Sequence, residues 1–266
     1  MNILDKIIEH KRREVASRKV TTSTKQLEAS ELFARSPLSM RNFILREDKT
    51  GIIAEFKRRS PSKGVIHASA DVVRTTTGYV NAGASALSVL TDEEFFGGTS
   101  DDLMAARKAN EVPVIRKDFA IDEYQLIEAR SIGADAILLI AAVLDPKTTR
   151  SLTSFAHSLG LEVLLEVHDR EELLNNLEAG ADMIGVNNRN LKTFEVSTAV
   201  SRALAPLIPD DLVKISESGI SSPDTILELK TYGYRGFLMG ENFMKRAEPG
   251  AAALEFMEAL RAAERK

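Results

Sequence analysis

The stretch SIGADAILLIAAVLDPKTTRSLTSFAHSLGLEVLLEVHD, residues 131–169, contains one complete structural unit. Its apolar run Ala136–Ile140 has the length and branching of a buried strand. The segment 147–159 then places apolar residues at helical spacing, and Val163–Val167 is apolar again. Gly133 and Gly160 stand where helices end, just past the last turn. A strand, a helix and a second strand joined by short connections form a βαβ crossover, so the two strands are expected to be parallel neighbours.

The same theme recurs on both sides of this unit. Further strand candidates are Ile52–Phe56, Ala86–Leu90, Pro113–Arg116, Met183–Val186, Val213–Ser216 and Gly236–Met239. Helical periodicity occupies 71–82, 100–109, 123–132, 170–179, 197–204, 223–231 and 250–264, with Gly83, Gly180 and Gly233 at further helix ends. Eight βα units predict the α/β class and a closed (β/α)8 TIM barrel, for which 266 residues is an ordinary length. An open dinucleotide-binding sheet would carry GxGxxG after its first strand, and none is present. The expected organisation is one domain, with 51–266 as the barrel and 1–50 as an N-terminal helical extension. In that extension Leu4, Ile7, Ile8 and Val15 share one helical face, and Phe33, Leu38, Phe43 and Leu45 indicate a second packed element. It has too little apolar content for its own core, so it is expected to plug or cover one end of the barrel, the catalytic mouth.

Composition narrows the function. A net charge of -4 gives no global attraction to nucleic acid or to an anionic membrane. The longest strongly apolar run, 136–144, is bracketed by Asp135 and Asp145 and is far short of the roughly 20 residues that a spanning helix needs. The N-terminus alternates charged and apolar residues without a signal-peptide core, so a cytoplasmic location is expected. With no cysteine there is no disulfide, no thiolate nucleophile and no Cys-based metal site. The four histidines, His10, His67, His157 and His168, share no ligand spacing, so no metal is expected. His168 is read as a solvated loop residue where the fifth strand ends.

In a barrel of this kind the chemistry lies where the strands end. The first strand ends with Glu55 and Lys57, two apart and so on one face. The third ends with Arg116, Lys117 and Asp118, and the fifth places Glu166 after a run of aliphatics. The sixth ends with Asn187 and Arg189, the seventh with Glu217, Ser218 and Gly219, and the eighth with Gly240 and Glu241. One charged residue at a strand end is ordinarily solvated loop, but ionisable or amide groups at so many ends suggest a common site. Glu55 and Glu166 directly follow apolar interiors, where an unpaired ion is costly, and Lys57 and Lys117 are their natural partners. Carboxylates set among ammonium groups separate pKa values for acid and base work. ESGISSPDT and GENFM follow strands seven and eight, where barrels commonly bind phosphate, and Ser60 in KRRSPSKG lies in reach of the same anion.

These residues carry a resemblance. IAEFKRRSPSKG, LSVLTDEEFFGG, VIRKDFAIDEYQ, LLEVHD, IGVNNRNL, ISESGI and LMGENFM, in order over about residues 50–245, resemble the corresponding segments of indole-3-glycerol-phosphate synthases. The resemblance implies a lyase that closes, decarboxylates and dehydrates 1-(2-carboxyphenylamino)-1-deoxyribulose 5-phosphate without a cofactor. It implies that Lys117 is the general acid on the ribulose carbonyl and Glu166 the base of the dehydration. Lys57 would hold the substrate carboxylate and share in proton transfer, with Glu55 orienting it. Asn187 and Arg189 would position the anthranilate end, Glu217 and Ser218 would line the mouth, and Phe119 would form a hydrophobic wall. Ser60, Gly219, Gly240 and Glu241 would receive the phosphate.

The expected partner is a small phosphorylated substrate, with no nucleic acid or membrane, and the chain is expected to be a monomer. Other readings of the same residues are a Schiff-base, aldolase-like barrel using Lys117 or Lys57, and a non-catalytic sugar-phosphate binder. Phosphoribosylanthranilate isomerase shares the architecture, but a cysteine base is expected there and position 55 is Glu.

Overall fold

The computed structural model describes residues 3–191 and 193–265. Eight strands close into a parallel barrel: β1 (Ile52–Phe56), β2 (Ala86–Leu90), β3 (Val114–Lys117), β4 (Ala136–Ile140), β5 (Glu162–Val167), β6 (Met183–Asn187), β7 (Val213–Glu217) and β8 (Tyr234–Met239). Each pairs with its sequence neighbours, and β1 closes the ring by pairing with β8 (Ile53 opposite Leu238) and with β2 (Glu55 opposite Ser88). Helices Val72–Ala82, Ser100–Ala109, Glu123–Ser131, Pro146–Ser158, Arg170–Asn176, Ala199–Leu204, Pro223–Thr231 and Pro249–Glu264 follow the strands. Their starts are set chemically: Asp71, Thr99, Asp145, Asp169 and Ser222 cap them by accepting backbone N–H groups.

Side-chain alternation divides each strand between two cores. Ile53, Ile115, Leu138, Leu164, Met183 and Ile215 fill the barrel interior. Leu87, Val89, Leu139, Leu165 and Phe237 pack outward against Tyr79, Leu103, Leu152, Leu229 and Phe256 of the helices. β6 and β7 each run one residue beyond the sequence expectation. The extra residues, Asn187 and Glu217, lie opposite each other in the ladder, so both are held by sheet rather than loop.

The extension serves both ends of the barrel. Helix Ile3–Thr21 lies on the mouth side, burying Ile7, Lys11 and Val15 at i, i+4 and i+8. The chain then descends the outside. Ser30 donates to the Ser131 carbonyl at 2.9 Å, the Leu38 N–H to Asp135 at 2.7 Å and the Arg41 N–H to Glu162 at 2.9 Å. Asp135 immediately precedes β4 and Glu162 opens β5, so helix Met40–Leu45 sits under the barrel floor. There Met40 and Ile44 join the interior core, each contributing on the order of 1.5–3 kcal/mol by burial. Phe43 and Leu45, singled out in the sequence as part of a packed element, are half-buried and pack against the outer and the inner core respectively.

Candidate active site

At the C-terminal ends of the strands lies a cavity of about 470 Å³, a volume suited to a small ligand. Every site residue expected from the sequence lines it: Glu55, Lys57, Ser60, Lys117, Phe119, Glu166, Asn187, Arg189, Glu217, Ser218, Gly219, Gly240 and Glu241. Lys117, on the last residue of β3, projects among carboxylates, with Nζ 3.0 Å from Glu166 Oε2 and 3.6 Å from Glu217 Oε2. Lys57 forms an ion pair with Glu55. Asn187 Nδ2 donates to Glu166 Oε1 at 3.1 Å, while Asn187 Oδ1 accepts the Arg189 N–H at 3.0 Å. The two-residue spacing that aims Asn187 and Arg189 together also turns Asn188 outward. There its Nδ2 donates to Ser216 Oγ and to the Ser218 carbonyl.

That last bond supports an unusual backbone. Ser218 has φ 65° and Gly219 φ 75°. The left-handed region costs a non-glycine residue about 1–2 kcal/mol, so the turn persists because its surroundings hold it. The missing Cβ at Gly219 matters as well, since it would stand 2.7 Å from Val196 Cγ1.

The protonation states follow from burial and neighbours. Burial opposes the Lys117 charge, but Glu166, Glu217 and Glu55 outweigh it and hold the ammonium well above its ordinary range. Burial likewise disfavours the Glu166 carboxylate, yet Lys117, His168 and Asn187 drive it well below its ordinary value. Glu217 goes the other way. Burial raises it, Lys117 only partly offsets this, and the Glu166 charge raises it further, to about 8. At neutral pH the cluster is therefore a lysine ammonium between one carboxylate and one carboxylic acid, the pattern of separated acid and base roles.

Not every charged strand end reaches the reacting groups. Arg116 points away from the barrel axis, where it is 3% exposed and bound to Asp118, to Glu128 and to the Gln125 carbonyl. Asp118 borders the cavity but is engaged by Arg116, by Thr91 and by Lys11 of the extension at 2.8 Å. This Lys11 centre, which also includes Asp92 at 3.0 Å, is not apparent from the sequence, because a lysine on an amphipathic helix reads as solvated. His168 corrects the solvated-loop expectation. Its side chain is 11% exposed and lies between Glu166 and Glu172.

The residues expected from the sequence to bind phosphate sit on the loops after β1, β7 and β8. Lys63 Nζ and Arg189 Nη2 each lie 3.4 Å from the Glu241 carboxylate, joining the loops after β1, β6 and β8. Lys63, Ser62, Ser221, Asn242 and Lys245 also line the cavity and were not singled out from the sequence. The apolar wall is likewise wider than Phe119. Phe96 packs against it at 5.9 Å between ring centroids, and Ile3, Leu4 and Ile7 of the extension face the same space.

With this geometry in view, the comparisons with known proteins point one way. The profile of the indole-3-glycerol phosphate synthase family matches residues 4–256. The chain belongs to that family. It is 50% identical to the indole-3-glycerol phosphate synthase of Bacteroides thetaiotaomicron, over 97% of this chain and 99% of that one. It is 45% identical to that of Burkholderia vietnamiensis, over 94% and 97%. It is accordingly a carboxy-lyase of tryptophan biosynthesis. Likeness to solved structures shows the barrel alone. An N-acetylmannosamine-6-phosphate 2-epimerase from Clostridium perfringens superposes with TM-score 0.61 at 14% identity, over 83% of this chain and 96% of that one. A thiamine phosphate pyrophosphorylase from Pyrococcus furiosus gives 0.60 at 16%, over 84% and 98%. Among the described residues no helix is long and apolar enough to cross a membrane.

Proposed function

We propose that the cavity closes the indole ring of 1-(2-carboxyphenylamino)-1-deoxyribulose 5-phosphate by acid–base chemistry divided among Lys117, Glu166 and Lys57. The observation that carries this reading is the Lys117 ammonium held between Glu166 and Glu217 at the rim. As the ring carbon bearing the carboxylate attacks the ribulose carbonyl, the Lys117 ammonium gives its proton to the carbonyl oxygen. Loss of CO2 from that carbon restores the benzene ring. The new hydroxyl then leaves as water with a proton from Lys57, while Glu166 takes the proton whose loss forms the last double bond. Positioned acid–base groups of this kind contribute roughly 10²–10⁴ in rate.

The remaining residues bind and orient. Lys57, held by Glu55, pairs with the substrate carboxylate. Asn187 and Arg189 set the anthranilate end, and Phe119 and Phe96 flank the ring. Glu217, carrying its proton at neutral pH, and Ser218 line the mouth. Ser60, Gly219, Gly240 and the leading amides of helix Glu241–Met244, with Lys63 nearby, receive the phosphate. Fixing both anionic ends folds the substrate so that the reacting carbons meet. The raised Lys117 also speaks against a Schiff base at that residue, which needs a lysine of lowered pKa. The enzyme acts in the cytoplasm as a monomer in this reading.

The direct test supplies the carboxyphenylamino ribulose phosphate and follows indole absorbance together with CO2 release. Equal yields of indole and CO2 are expected. A product without CO2, or a lysine adduct trapped by borohydride, would overturn the assignment.

A further inference from the structure

The loop after β5 carries a partly buried imidazole for which the assigned chemistry has no role. His168 Nδ1 lies 3.0 Å from Glu172 Oε2, and the same oxygen accepts the His168 backbone N–H at 2.8 Å. On the other side of the ring, Nε2 is at ion-pair range, 3.2 Å, from Glu166 Oε1. Glu172 is placed by the first turn of helix Arg170–Asn176, whose start Asp169 caps. With a carboxylate oxygen within 3.2 Å of each nitrogen, the positively charged ring is favoured over the neutral one, although only Nδ1 has hydrogen-bond geometry to its partner. Burial works against that charge, but Glu166 and Glu172 prevail and raise the imidazole to about 10.

The two oxygens of Glu166 are held differently. Oε2 meets Lys117, whereas Oε1 meets Asn187 and His168. Lys117 is the cation that a substrate carbonyl draws toward itself. When it moves, Glu166 loses its strongest positive neighbour, and of the carboxyl groups around Lys117 only Glu55 is left as a carboxylate beside the neutral acid of Glu217. His168 is outside the cavity lining, so substrate leaves it in place.

We propose that His168, as an imidazolium braced by Glu172, is a positioning residue that holds Glu166 from behind as a carboxylate throughout the reaction. This rests on Glu166 being the base. The groups facing Glu166 are Lys117 from β3, Asn187 from β6, Glu217 from β7 and His168 from the loop that follows its own strand, with Glu55 of β1 acting on Lys117 and Glu217 in the same cluster. Those facing the ring are Glu166 and Glu172.

The test is the pH profile of kcat in His168→Gln, which keeps a neutral donor near Glu166 without the charge. An opposite charge at this range moves a carboxyl by about 1–3 units, so the acid limb is expected to shift upward by about one unit or more. At a given pH on that limb, below its midpoint in both enzymes, kcat should then be about tenfold lower, with KM within about twofold and the rate at pH 9 within about threefold. Glu172→Gln should shift the limb in the same direction by less. Imidazole NMR of the resting enzyme provides a readout independent of turnover. The His168 resonance should stay protonated past pH 8 and titrate about a unit lower in Glu166→Gln. A uniform loss across pH, or a His168 titration unaffected by Glu166→Gln, overturns the proposal. A Glu166→Gln enzyme with wild-type turnover refutes the base assignment itself. An inactive one, combined with an unmoved acid limb in His168→Gln, refutes only the role given to His168.

Discussion

The interface between the extension and the mouth makes the most demanding prediction, through Lys11→Met. Lys11 is 1% exposed, and its Nζ lies 2.6 Å from Glu14, 3.0 Å from Asp92 and 2.8 Å from Asp118. Methionine fills the same space without the charge. Asp118 would keep Arg116 and Thr91, and its carboxyl is already held below its usual range, against burial, by Lys11 and Arg116. Asp92 would keep only the Phe95 N–H at 2.8 Å, so it becomes an almost unpaired buried ion. Removing one partner from such a group costs about 3–5 kcal/mol. For 266 residues the unfolding entropy is about 0.6 kcal/mol per degree, so Tm should fall by roughly 5–9 °C. Adding Asp92→Asn should recover about 1–2 kcal/mol by removing the stranded charge. Because Ile3, Leu4 and Ile7 of the same helix line the cavity, KM for substrate should rise as well. Urea unfolding and initial-rate kinetics on both variants supply the numbers. A loss below about 1 kcal/mol would mean that the centre behaves as a surface pair does, and the reasoning would be wrong.

Lys117→Ala should lower indole formation by at least about 10²-fold while circular dichroism and phosphate affinity are retained, and wild-type turnover would remove Lys117 as the acid. Gly185→Ala places a Cβ 2.2 Å from Glu217 Oε1 and 3.1 Å from Leu164 Cδ1, so a loss of about 1–3 kcal/mol is expected in urea, with reduced activity. An unchanged urea midpoint would show that Glu217 moves freely. Glu217, raised from 4.5 to about 8, binds a proton that the unfolded chain has released. Its stabilising contribution is therefore complete below pH 4.5 and lost as pH rises through about 8, and Glu217→Gln should flatten the decline in stability over that window. Identical slopes in the two proteins would count against the assignment.

Much of the barrel is legible in the chain because parallel strands buried on both faces read as continuous apolar runs. Helix ends are legible where glycine supplies a left-handed residue, as at Gly133 (φ 89°) and Gly160 (φ 74°). The strand-end residues of the cavity are legible too, because a charge directly after an aliphatic strand interior needs a partner, and a closed barrel brings all the strand ends to one rim. The direction each group faces is less accessible. Arg116, Lys117 and Asp118 are consecutive, yet only Lys117 joins the cluster with Glu166 and Glu217.

What the sequence determined by itself is local: strand and helix positions, the closure of eight units, and the residue types that meet at the mouth. The tertiary structure alone decided that Lys11 is buried between Asp92 and Asp118, that the extension also seals the floor with Met40 and Ile44, and that His168 stands behind Glu166. The physical reason is common to all three. Periodicity reports which face of an element is apolar, whereas the state of a charged side chain is set by partners that only the closed barrel brings within a few ångströms.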